Sequence, residues 1–131
     1  MKYKDALKRA NDLIIRLGIR KFCKEKCKGR CCNGAMGRCE GVCTESLPCA
    51  IYVCGYIYKS FTGSLYSKLA YLNAYGHFFD QGNIGLKVNP RDHKVTEKEM
   101  NQQVWLQLPR FTAAEILRCN KKLESLPALS N

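Results

Sequence analysis

The sequence predicts a helix-rich α+β fold in a single domain, with a cysteine-rich lobe set between two helices and short strands and a final helix in the C-terminal half. Three observations carry this reading. Apolar residues recur at helical period over residues 3–17, and eight of the nine cysteines fall between Cys23 and Cys54. The last third mixes short strand-like runs with two Thr-x-x-Glu helix starts. The 131 residues divide into a basic amphipathic helix (1–20), the cysteine-rich lobe (21–55) and a helical to mixed remainder (56–131).

In the first helix Tyr3, Leu7, Ala10, Ile14 and Leu17 lie on one face, with Lys4, Lys8 and Arg16 off it. Gly18 is placed to end that helix in a left-handed conformation. After the lobe, residues 56–76 read as a second helical region in which Leu65, Leu69 and Leu72 share a face. Gly63-Ser64 breaks or starts this helix, and Gly76 stops it. The dense aromatics around it, from Tyr52 to Phe79, are read as core at helical spacing beside leucine rather than as base-stacking groups.

Beyond Asp80 the pattern changes. Residues 84–88 read as a short strand closed by Asn89-Pro90, because the residue before proline is pushed away from the helical region. Thr96 and Glu99 form a first capping box. Val104 to Leu108 reads as a second strand, ended by Pro109. Thr112 and Glu115 form another capping box, opening a final helix that runs to about Leu126. Cys119 on that helix is read as a small buried hydrophobe.

The cysteine run from Cys23 to Cys54 is too short and too polar to order itself by burying apolar surface. Its sulfurs must staple it. Residues 1–22 lack the apolar core and small-residue cleavage site of a secretory leader, and no stretch approaches a membrane span. The expected location is therefore cytoplasmic or another reducing compartment, where clustered cysteines hold metal. The count of nine is odd, so complete internal pairing is impossible.

The spacing is Cys23-x3-Cys27-x3-Cys31-Cys32-x6-Cys39-x3-Cys43-x5-Cys49-x4-Cys54. Residues four apart are neighbours on a helical turn, so Cys23, Cys27 and Cys31 can share one stripe and Cys39 and Cys43 another. Soft four-sulfur sets of this kind suit Zn²⁺, with a 4Fe–4S cluster as the alternative. Eight cysteines are enough for two such sites, and one site with spare thiols fits equally. Thiolate-bound Zn²⁺ supplies about 10–16 kcal/mol of apparent folding free energy, so the lobe is read as cysteine-bound metal. Neighbouring Lys24, Lys26, Lys28 and Arg30 favour the thiolate form.

Cys27-x3-Cys31-Cys32-Asn33-Gly34, Gly37-Arg38-Cys39 and Pro48-Cys49-Ala50-Ile51-Tyr52 together resemble the bacterial cysteine-cluster proteins described as zinc- or iron-chelating. The resemblance implies Cys23, Cys27, Cys31, Cys32, Cys39, Cys49 and Cys54 as ligands. This chain departs from that pattern in its x3 gaps and in Val53-Cys54, which stands where those proteins carry Arg-Pro.

The chain carries a formal charge of +11, and eleven basic residues against three acidic ones fall before Cys31. Part of that charge compensates thiolates. The rest points to an acidic partner, nucleic acid or a protein surface, met by Lys4, Lys8, Arg16, Arg20, Lys21, Lys24, Lys28 and Arg30. No catalytic triad spacing, HExxH or phosphate loop occurs, so the reading is an accessory or regulatory protein. Two alternatives stand beside it. One is an iron–sulfur redox protein or enzyme-assembly component, and the other is an exported structural or inhibitory protein stapled by disulfides.

Overall fold

The computed structural model describes residues 1–27, 47–80 and 96–128, and within these the side chains of all but residues 48, 49 and 77–80. The first helix, α1 (Tyr3–Arg16), buries Tyr3, Ala6, Leu7, Ala10, Leu13 and Ile14 and leaves Lys4, Lys8 and Arg16 in solvent. The helical period of the sequence is thus the period of burial. Gly18 ends α1 at φ +83°. Two constraints demand glycine here: the left-handed backbone, and Asn120, whose Oδ1 would lie 2.6 Å from an added Cβ. That close approach is functional to the fold, because Asn120 Nδ2 donates to the orphan carbonyl of Arg16 at 2.8 Å. The end of α1 is therefore capped from the last helix of the chain.

A short α2 (Ile19–Phe22) follows and runs into a π-helical turn over Cys23–Cys27. The chain re-enters the described residues at α3 (Leu47–Ile51), then α4 (Gly55–Tyr58) and α5 (Gly63–Asp80). α3 packs between α1 and α5. The Tyr3 hydroxyl accepts a hydrogen bond from the Leu47 amide at 2.8 Å, and Asn73 Nδ2 donates to the Val53 carbonyl at 2.7 Å. Leu47, Ile51, Ile57, Leu69 and Leu72 are sealed between these elements. A Leu69→Ala change in such a site costs about 2–5 kcal/mol.

The second helical region follows its reading at Gly63 and departs from it at Gly76. It is two helices, α4 and α5, with Gly63 opening the second. Gly76 does not stop α5, which continues to Asp80. Gly76 is instead a contact residue: a Cβ there would lie 3.0 Å from the Cβ of Tyr52, so glycine lets α5 pass close to the chain leaving α3.

Two more helices complete the chain, α6 (Glu97–Met100) and α7 (Ala113–Ser125). Both start with the capping boxes read from the sequence. Thr96 and Thr112 each accept from the amide three residues on, and Glu99 and Glu115 reach back to the cap amides.

The α+β assignment is corrected. Among the described residues there is no strand, and the one β-type contact is an isolated antiparallel bridge between Lys2 and Gln103. The predicted strand at 84–88 lies outside the described residues. At 104–108 the alternation itself is real: Val104 is buried, Trp105 exposed, Leu106 half-buried and Gln107 exposed. The pairing partner is what differs. Tyr3 N donates to Gln102 O and Val104 N to Met1 O, both at 2.8 Å, but α1 begins at Tyr3 and the ladder cannot propagate. Beyond it, tyrosines on α5 take over the backbone groups. Tyr75 Oη donates to Trp105 O and accepts from Gln107 N, and Tyr71 Oη donates to Gln107 O at 3.0 Å. An extended segment satisfied by side-chain hydroxyls reads like a strand in sequence because its burial period is two.

Candidate functional site

The cysteine segment is gripped at both ends by this helical frame. At its start, the π turn bonds five residues apart, a wider turn than the α-helix, so Cys23 and Cys27 remain neighbours along it. Cys27 is fully buried and Cys23 half-buried. Between them Lys26 reaches the end of α7, where Nζ donates to Glu124 O at 2.7 Å, to Leu123 O at 3.0 Å and to Leu126 O. A cation on orphan carbonyls at a helix C-terminus is favourable both as a donor and against the helix dipole. Phe22 stacks on Tyr56 with ring centroids 5.9 Å apart, joining the turn to α4. At the segment's other end, Leu47 is held by Tyr3 and α3 is buried between two helices.

The predicted metal ligands meet mixed fates. Cys31, Cys32, Cys39 and Cys43 lie outside the described residues, as does the side chain of Cys49. Cys27 is disulfide-bonded, and a sulfur so paired has no thiolate to give a metal. Cys54 is a free thiol, 3% exposed. Burial pushes its pKa up, with backbone hydrogen bonds at the start of α4 pulling the other way. A neutral buried thiol is a poor ligand until metal displaces its proton. Among the described residues no three His, Cys, Asp or Glu side chains come together as a metal site would need. Cys119 behaves as read: it is a fully buried thiol, pushed up to about 12 by burial.

The basic residues separate as well. Lys4, Lys8, Arg16, Lys21 and Lys24 are exposed, and none pairs with a carboxylate among the described residues. Arg20 stands apart from the others in this set. It is half-buried, and its guanidinium donates to Asn11 Oδ1 at 2.5 Å, which makes it a brace between α1 and α2. Lys28 and Arg30 lie outside the described residues. Sequence reading passed over Lys26 as one more lysine among cysteines. Its capping role has no local signal, because the carbonyls it meets come about a hundred residues later.

No protein-family model matches the chain, and no curated protein and no solved structure is significantly similar to it. No helix among the described residues is long and apolar enough to cross a membrane.

Proposed function

We propose that the chain is a small basic accessory or regulatory module that docks on an acidic macromolecule, nucleic acid or protein, beside a cysteine segment shaped through its sulfurs. The observation that carries this is the run of exposed cations without carboxylate partners, Lys4, Lys8 and Arg16 on α1 and Lys21 and Lys24 at the mouth of the cysteine segment. Unpaired cations on a rigid frame favour an anionic partner without reorganisation.

In the reduced segment Zn²⁺ is the proposed occupant, with a 4Fe–4S cluster as the alternative. With Cys27 and its partner joined, six of the eight sulfurs from Cys23 to Cys54 are left, enough for one four-sulfur site. Cys23, Cys54 and the four unpaired among the cysteines at 31, 32, 39, 43 and 49 are the candidates. The resemblance of residues 27–52 to zinc- or iron-chelating proteins supports this reading, and it belongs to a reducing compartment. The disulfide at Cys27 favours a second reading, an exported structural or inhibitory protein stapled by several disulfides.

Elemental analysis of anaerobically purified protein, with mass measurement before and after reductant, separates the two. About one zinc per chain and at most one disulfide supports the metal module, and absorbance near 400 nm with iron identifies the cluster. Three or four disulfides without zinc or iron would sink both metal readings. Docking is tested by binding to DNA, RNA and polyglutamate across a salt series. No binding to any of them at low salt rejects the acidic-partner reading.

A further inference from the structure

A second cationic feature lies away from the cysteine segment. A cleft of about 440 Å³ opens between the α4–α5 connection and one flank of α7. Thr62 and Ser60 line one wall, and Arg118, Lys121, Lys122 and Ser125 line the other. Positions 118, 121 and 122 are spaced i, i+3, i+4, so the three cations share one flank of the helix. All three are exposed, and none has an ion-pair or hydrogen-bond partner for its side chain among the described residues.

Like charges at this spacing repel one another, a cost that the C-terminal end of α7 offsets in part. Its two acids face elsewhere. Glu115 is bound to Lys68 on α5, and Glu124 lines a different cleft with Lys21 and Lys26. No carboxylate lines the cationic cleft. Ser60 and Ser125 spend their protons on the carbonyls of Tyr56 and Lys122, whereas the Thr62 hydroxyl is unengaged. Thr62 stands directly before α5, whose first amides lack acceptors within the helix. The volume exceeds that of a bare tetrahedral anion, and the largely buried Phe61 and Leu65 supply an apolar wall.

We propose that this cleft binds a small organic phosphate, its phosphomonoester dianion held by Arg118, Lys121 and Lys122 with Thr62 donating, and its organic part against Phe61 and Leu65. This is independent of the partner surface on α1 and of the state of the cysteines. The test is calorimetric titration of the full chain with phenyl phosphate, inorganic phosphate and a single-stranded oligonucleotide at matched ionic strength. Phenyl phosphate is expected to saturate at one per chain and to bind more tightly than inorganic phosphate. Arg118→Ala/Lys122→Ala should weaken it about tenfold or more, the effect of losing charge-assisted hydrogen bonds. Lys4→Ala/Lys8→Ala should leave it unchanged. These are exposed positions, so thermal unfolding of both variants should match the parent. Equal losses in the two variants, no saturable binding of phenyl phosphate, or binding of the oligonucleotide alone would each overturn the proposal.

Discussion

The starts of α6 and α7 carry the same local device in different surroundings. Each is a Thr-x-x-Glu box with both reciprocal hydrogen bonds made. At α6 the box stands at the surface, with Thr96 exposed and Glu99 half-buried. At α7 the glutamate is buried, 4% exposed, and its carboxylate does more than cap. Ser64 Oγ and Lys68 Nζ both donate to it at 2.6 Å, so the cap of α7 is also the bolt that fastens α7 to the first turns of α5. Lys68 further lies 5.5 Å from the centre of the Phe111 ring, which shields the pair from one side. Identical local chemistry thus contributes a helix start in one place and a tertiary joint in the other.

The comparison breaks most directly by removing each glutamate. Glu115→Ala should lower the midpoint of thermal unfolding well beyond Glu99→Ala, because it strands Lys68 and Ser64 as well as the cap amide. Equal shifts would mean that the α5–α7 joint contributes nothing beyond the cap.

Acid titration sharpens the same contrast. The hydrogen bond from Lys68, then that from Ser64 and then the backbone at Thr112, hold the Glu115 pKa at about 2, below the ordinary 4.5. A depressed carboxylate stabilises the fold above the unfolded value, and that contribution disappears as pH falls from about 4.5 towards 2. Chemical denaturation across this window should show the parent losing stability more steeply than Glu115→Gln. Parallel curves would assign the acid sensitivity to other groups.

The smallest effects come from the threonines. Thr112→Ala should cost about 1 kcal/mol and Thr96→Ala about 0.5 kcal/mol in denaturant unfolding, the second lower because a one-turn helix at the surface contributes little to the whole. A reversed order would place α6 nearer the centre of stability than its exposure suggests.

How far the chain could be read follows the same division. The face of α1, the left-handed Gly18, both boxes, the burial of Cys119 and the end of α7 before Pro127 were all legible, since each depends on residues within one or two turns. The extended segment at 104–108 was read as a strand, but beyond Val104 its backbone groups meet tyrosine hydroxyls, because period reports burial and not the identity of the hydrogen-bonding group. Gly76 looked like a stop when it is a place of close approach to Tyr52. The cations of α7 left a signal in their i, i+3, i+4 spacing, but that they line one cleft with Thr62 depends on how α7 lies against the start of α5.

Alone, the amino-acid order determined the buried face and end of α1, the starts of α6 and α7, the end of α7 and which cysteines crowd together along the chain, because capping, periodicity and spacing act over a few residues. Tertiary structure decided what those pieces meet: Lys26 on the carbonyls of α7, Asn120 on the end of α1, Arg20 withdrawn to Asn11, Cys27 in a disulfide, and tyrosine hydroxyls in place of a neighbouring strand. Each of the polar contacts joins a donor or acceptor to a partner distant in sequence or held by another element, and only the packed arrangement of helices sets which partner comes within reach.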